Sequence, residues 1–137
     1  MVDEIDEKII EILKENARTT YVDIGRALGL SEGTVRNRIQ ALTDSKVIKR
    51  FTVEVSLTVG VKALIMVSVD PQMPTIQISD NVLALPGVEK IYEVTGEYDV
   101  VTVVSSPSIE ELNHTIEEIR VINGVVKTNT IIVLRTV

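Results

Sequence analysis

Residues 20–50 read TYVDIGRALGLSEGTVRNRIQALTDSKVIKR, and this stretch decides how the rest of the chain is understood. It resolves into two helices and a tight turn. Thr20 is placed to cap a helix from about Tyr21 to Leu28, and Ser31 to cap a second from about Glu32 to Asp44. A hydroxyl there accepts a bond from a backbone N–H that the helix leaves unpaired. Gly29-Leu30 supplies the bend, glycine being free to adopt the positive φ that ends a helix sharply. Ile24 and Leu28 share a face of the first helix, and Val35, Ile39 and Leu42 form an i, i+4, i+7 stripe on the second. Gly25 lies four residues before the turn glycine and Val35 six after it. The small residue lets two helices cross closely, and the valine locks the second onto the first. That spacing is the pattern of a helix-turn-helix whose second helix enters the DNA major groove. The bland alternative is a solvated helix in an ordinary bundle.

The polar face of the second helix carries Thr34, Arg36, Asn37, Arg38 and Gln40, with Ser31 at its start. All are types that reach base edges or phosphates. Thr34, Arg36 and Asn37 are expected to read bases. Arg38, Gln40, Lys49 and Arg50 are expected to hold phosphates. Charge supports this placement. The chain of 137 residues is net −6, but residues 1–50 balance at zero and residues 31–50 carry +3, so the excess acid lies in residues 51–137. Positive charge thus collects at the recognition helix and its exit, where phosphates would lie. The acidic remainder keeps non-specific binding modest, and such a protein needs two DNA-binding units to bind well.

Composition narrows the other possibilities. Apolar residues make up 45% and aromatics 3%, so the cores are built from Val, Ile and Leu. There is no cysteine, which excludes disulfides and thiolate metal sites. MVDEIDEKIIEIL at the N-terminus is acidic and amphipathic, unlike a signal peptide. No apolar run approaches the roughly 18 residues of a membrane span, and a cytoplasmic protein with no membrane partner is expected.

Working outward, Asp3–Asn16 forms an amphipathic helix with Ile5, Ile9, Ile12 and Leu13 inward. It supplies the third helix that a helix-turn-helix needs for a core. Its early acids Asp3, Glu4, Asp6 and Glu7 suit a helix N-terminus and read as stabilising surface rather than a metal site. Phe51–Val55 reads as a strand, so residues 51–61 form an ordered strand linker between a domain at 1–50 and one at 62–137.

The second half repeats itself. KALIMVSVD from Lys62 is a strand, followed by a helix to Leu85 with Ile78, Val82 and Leu85 on one face, then the strand EKIYEV. A second round follows: a strand at Tyr98–Ser105, a helix at Ser108–Ile122 with the capping box Ser108/Glu111, and a strand at Val126–Leu134. Gly87-Val88 and Gly124-Val125 hold equivalent places. The expected class is α+β: a three-helix helix-turn-helix domain plus a βαββαβ ferredoxin-like sandwich, with two helices on one face of a four-stranded sheet. Leu64–Val69, Val100–Val104 and Ile131–Leu134 are apolar on both alternations, so the helix-free face is greasy too. Such a surface rarely stays bare. Sheet-to-sheet pairing into a homodimer, and hence a roughly palindromic double-stranded DNA site, is expected.

At this point the chain resembles the Lrp/AsnC (feast/famine) family of transcription regulators. The resemblance runs from residue 3 to 134 in the family's order: DEIDEKIIEILKENAR, IGRALGLSEGTVRNRIQAL, Val47-Ile48, Leu85–Val88, Thr95–Asp99 and Val126–Thr130. No single motif decides it; their order and spacing do. The resemblance implies an amino-acid-sensing second domain that dimerises through its sheets and in some members assembles into octamers. It places a small amino-acid effector between dimers, around Gly96, Glu97, Tyr98 and Asp99 and the strand residues Thr128 and Thr130. Gly96 would allow close backbone approach, Asp99 would take the ammonium, and the threonines would offer hydroxyls. Read alone, the same residues make a tight turn and a strand with threonines chosen for propensity. Glu93, Glu97 and Asp99 lean the effector toward lysine or arginine. One departure stands out: Lys46 occupies a position where the family usually has glycine. An αL residue with a side chain costs about 1–2 kcal/mol, which puts the form of that turn in question.

Other classes find little support. An enzyme is not expected: the only histidine, His114, lies on an amphipathic helix, and no nucleophile, phosphate loop, metal or cofactor pattern appears. The alternative kept open is an effector-independent architectural protein that coats DNA.

Overall fold

The computed structural model describes residues 1–56 and 59–137. The chain divides into two compact units, Met1–Val55 and Ser56–Val137.

The first unit is built from α1 (Glu4–Glu15), α2 (Tyr21–Leu28) and α3 (Glu32–Asp44). Each begins at a side-chain cap: Asp3 accepts from the Asp6 N–H, Thr20 from Asp23 and Ser31 from Thr34. Gly29 ends α2 at φ +69°, in the αL form that its lack of a Cβ permits. A Cβ on Gly25 would collide with the Leu30 carbonyl oxygen, so only glycine leaves room for the turn to fold back onto α2. Ile9, Ile24, Val35 and Ile39 form the buried centre, with Ile5, Ile12, Leu13, Leu28, Leu30 and Ile48 packed around it. This is a helix-turn-helix braced by a third helix.

The turn after α3 settles the question raised by Lys46. Lys46 takes φ +60°, the one positive-φ residue other than glycine among those described. Its N–H donates to the Thr43 carbonyl at 3.0 Å, and the Ile48 N–H to the Leu42 carbonyl at 3.0 Å. Those bonds satisfy the end of the helix and bring Ile48 onto the core. The αL turn therefore forms despite the lysine.

One expected element is absent. Phe51–Ser56 has no regular secondary structure, and Phe51, Val53 and Val55 are exposed. A strand exists by pairing, and no described strand of this chain pairs with it; the alternating pattern alone does not make one. The remainder of the expected linker includes residues 57 and 58, which lie outside the described residues.

The second unit runs β1 (Val61–Val69), α4 (Thr75–Leu83), β2 (Val88–Glu93), β3 (Val100–Ser106), α5 (Ile109–Arg120) and β4 (Val125–Ile132). The sheet order is β2-β3-β1-β4, and all three pairings are antiparallel. It is the βαββαβ architecture, and the fold as a whole is α+β. Ala63, Ile65, Val67, Val100 and Val104 meet Ile78 and Val82 of α4 and Leu112 and Ile119 of α5 in one buried cluster. The other sheet face carries Leu64 and Met66 of β1 opposite Val103 and Val101 of β3. These four are half-buried, and Ile131 and Tyr92 beside them are 47% and 50% exposed. At Ser108 the hydroxyl accepts from the Glu111 N–H, but the full reciprocal capping box forms at Asp3 and Asp6 instead.

Replacing Lys46 by glycine should stabilise the first unit by about 0.5–1 kcal/mol. That is the αL penalty of about 1–2 kcal/mol less the backbone entropy of glycine, about 0.5–1 kcal/mol. Urea unfolding of Lys46→Gly checks it; a loss of stability would mean that the lysine stem contributes contacts worth more than the strain.

Candidate DNA-binding and effector sites

On α3, the buried stripe Val35, Ile39 and Leu42 turns the helix so that Thr34, Arg36, Asn37 and Gln40 face outward, all exposed. Ser31 caps the helix and its hydroxyl lies 2.9 Å from that of Thr34. The Arg36 guanidinium pairs with Glu32 one turn earlier and sits over the Tyr21 ring, 5.5 Å from its centroid. Gln40 donates to Asp44 at 2.8 Å. Asn37, Lys49 and Arg50 have no side-chain hydrogen bond or ion pair among the described residues and lie exposed.

Arg38 differs from its neighbours on the polar face. Position 38 is three residues after Val35 and one before Ile39, so it borders the inner face, and its side chain is only 29% exposed. Its Nη1 donates to both Asp3 carboxylate oxygens, at 2.9 and 2.7 Å, and to Asp6 at 3.1 Å. Asp3 and Asp6 are the two members of the capping box that starts α1. The arginine expected on phosphates is held by two of the acids expected to stabilise the start of the helix. The Arg38 hydrogen bond, followed by the Asp6 N–H, keeps the Asp3 carboxyl below its ordinary range, and the carboxylates raise Arg38 in turn.

In the second unit, residues 94–99 form the turn between β2 and β3. The space above Gly96 is open: a Cβ there would meet nothing within 4 Å. Glu97 pairs with Lys127 of β4 at 3.4 Å, and the same ammonium lies 5.3 Å from the centroid of the Tyr98 ring. Asp99, expected to take an ammonium, already serves the fold. Its Oδ2 accepts the Val69 N–H at 2.7 Å, where the β1–β4 register shifts, and its own N–H donates to the Val67 carbonyl at 2.9 Å. Thr128 and Thr130 lie opposite Val67 and Ile65, on the face toward the helices. The Thr128 hydroxyl accepts from Arg120 of α5 at 3.3 Å. Among the described residues no side-chain hydrogen bond joins the turn to either threonine. The sequence reading did not single out Lys127 and Arg120, although Lys127 lies beside Thr128 and pairs with Glu97.

Residues 2–43 match the AsnC-type helix-turn-helix domain, and residues 62–137 match the Lrp/AsnC ligand binding domain. The chain belongs to the Lrp/AsnC family. It is 49% identical to the transcriptional regulator LysM of Saccharolobus solfataricus, over 98% of this chain and 95% of that one. Its fold matches the leucine response regulatory protein LrpA of Mycobacterium tuberculosis with a TM-score of 0.86, at 26% identity over 98% of this chain and 94% of that one. It also matches a Neisseria meningitidis transcriptional regulator solved with L-methionine, TM-score 0.78 at 24% identity, over 98% and 91% of the two chains. This Lrp/AsnC protein is therefore a transcriptional regulator with a DNA-binding helix-turn-helix and a ligand-binding domain, not an enzyme. No described helix is long and apolar enough to cross a membrane.

The Asp3–Arg38 pair gives a signed pH dependence. A carboxylate whose folded pKa is depressed adds stability above its unfolded value of about 3.9 and loses it as pH falls through the folded one. Asp3→Asn keeps an N-capping side chain but loses the charge. It should melt below wild type at neutral pH, and the gap should close as pH falls below about 4. A gap unchanged on acidification would show that the charge contributes nothing.

Proposed function

We propose that this protein is a cytoplasmic, sequence-specific regulator that binds a roughly palindromic DNA site as a homodimer or a higher assembly. A small amino acid bound between dimers modulates its assembly or DNA affinity. The observation that carries the reading is the pairing, in one chain, of an exposed polar recognition face with a sheet whose second face has an apolar centre, Leu64, Met66, Val101 and Val103, left open among the described residues and bordered by Lys62, Lys90, Lys127 and Asn129. Thr34, Arg36 and Asn37 read bases in this scheme, while Gln40, Lys49 and Arg50 hold phosphates and Ser31 fixes the start of the helix. Two copies of the sheet, face to face, would bury Leu64, Met66, Val101, Val103 and Ile131 and so join two recognition helices by a two-fold axis.

The effector site centres on the open space at Gly96, the exposed Glu97 and the Tyr98 ring, with Thr128 and Thr130 nearby in the sheet and Asp99 shaping the turn. Asp99 Oδ2 is engaged by the Val69 N–H, so in this scheme Glu97 joins Asp99 as a candidate for the ammonium. The Glu97 bond to Lys127 is long and solvent-exposed, a kind worth at most about 1 kcal/mol, so a free amino group can displace it. Every amino acid carries such a group, so the lean toward lysine or arginine rests on the acidic turn alone, Glu93, Glu97 and Asp99. An effector shifts function only through different affinity for two states.

Two measurements test the reading. Met66 lies at the centre of the open face, paired with Val101 and Asn129. Met66→Glu should halve the solution mass seen by light scattering and weaken specific DNA binding at least about 100-fold, the half-sites then being bound singly. An unchanged mass would place the dimer interface elsewhere. A thermal-shift screen of the twenty amino acids should give a hit that raises the melting point by mass action and is lost in Glu97→Ala. No hit at millimolar concentration, with salt-sensitive binding alike on all duplexes, would favour the architectural coating protein instead.

A further inference from the structure

The geometry points to Arg38 as a positioning residue that sets the pose of the recognition helix without touching DNA. It is pinned to α1 by the Asp3 and Asp6 carboxylates. This rests on the reading of α3 as the DNA-reading helix.

Four observations carry it. First, Nη1 of Arg38 bridges both carboxylates at 2.7–3.1 Å, and the partners are 35 and 32 residues away in sequence, so the bonds tie α3 to the start of α1. The other ion pairs within the first unit, Lys8–Glu4, Lys14–Glu11, Arg26–Asp23 and Arg36–Glu32, all lie within one turn of their own helix. They cannot orient one helix against another.

Second, the acids are not free to leave. The Asp3 Oδ1 accepts the Asp6 N–H at 2.8 Å, and the Asp6 Oδ2 accepts the Asp3 N–H at 3.2 Å. Each carboxylate is fixed by its capping duty, which pre-organises the pair for a guanidinium. Third, capping brings two like charges together beside Glu4 and Glu7, and Asp6 is 8% exposed. Two acids this close, Asp6 buried and Asp3 exposed, repel each other, and the Arg38 cation offsets that repulsion. Fourth, Arg38 is the least exposed of the candidate DNA-binding side chains on α3; the rest of that set is open to solvent.

The consequence concerns specificity. A bidentate contact to a base edge tolerates little error in where the helix lies. Loosening α3 against α1 therefore blurs base readout while leaving the number of phosphate contacts unchanged. A phosphate ligand behaves in the opposite way, weakening all sequences alike and lowering the salt slope by about one.

The test uses the full chain and two duplexes of equal length: one selected by the wild-type protein from a random library, and one of random sequence. Affinities are measured across a salt series for wild type, Asp3→Asn, Arg38→Met, the double variant and Arg38→Lys, with melting curves confirming that each is folded at the assay temperature. Asp3→Asn and Arg38→Met should each lower the selected-to-random ratio about tenfold at an unchanged salt slope. The double variant should be no worse than Arg38→Met, and Arg38→Lys should recover part of the ratio. A slope lowered by about one in Arg38→Met would make Arg38 a phosphate contact and overturn the proposal. Tighter binding of Asp3→Asn to both duplexes would overturn it as well, because the acids would then be withholding Arg38 from DNA. An unchanged ratio in both variants would reduce the network to an idle surface pair. If wild type selects no duplex, the DNA reading itself fails, and the pin is judged by its melting temperatures alone: additive shifts of the two single variants would sink it.

Discussion

A four-stranded sheet with two helices has one face too many. In this chain α4 and α5 bury Ala63, Ile65, Val67, Val100 and Val104, and the opposite alternation of the same strands carries Leu64, Met66, Val101 and Val103. Side chains alternate strictly along a strand, so the second apolar set is no by-product of the first. A sheet meant for water throughout that side would carry polar residues at its centre too, as this one does at its margins with Lys62, Lys90, Lys127 and Asn129. The proposed homodimer rests on this surplus face. A single helix-turn-helix offers few base contacts, and a symmetric partner doubles them without adding sequence.

The same economy governs the charges. In the second unit each acid near the β2–β3 turn has a partner: Glu93 accepts from Ser79 at 2.8 Å, Glu97 pairs with Lys127, and Asp99 accepts from Val69. They differ in what holds them. Asp99 is bound by backbone at a register shift, where its loss would leave a strand N–H unpaired. Glu97 is bound by a flexible side chain at the surface. Only the second kind of partner can be exchanged for a ligand at little cost, which is why the turn acids are not equivalent although the sequence shows them as a cluster.

The sequence carried the helices and their order well because each is marked twice, by a cap and by a stripe. Thr20, Ser31 and Ser108 all cap where their spacing implied, and Val35, Ile39 and Leu42 are all buried. What it carried poorly were features decided by a partner. Phe51–Val55 alternates like a strand but has nothing described in this chain to pair with. Lys46 keeps the αL turn because the Leu42 and Thr43 carbonyls and the seating of Ile48 outweigh its strain. Arg38 was legible in principle, since position 38 falls three residues after Val35 on the inner border of the helix. Residue type points it to phosphate, and type alone cannot tell an arginine that meets phosphate from one that meets a carboxylate of its own chain.

That distinction extends along the recognition helix. A guanidinium binds two acceptors in a plane whether they belong to a guanine, a phosphate or an aspartate. The fold decides by geometry which it meets. Arg36, over the exposed Tyr21 ring, is restrained only by Glu32 one turn away, a contact that a base edge can replace. Arg38 is restrained by two carboxylates that are themselves fixed as caps, and on the proposed reading it stays with them. On that reading, two arginines two residues apart on one helix divide the work: one is left able to read, and the other holds the reader in place.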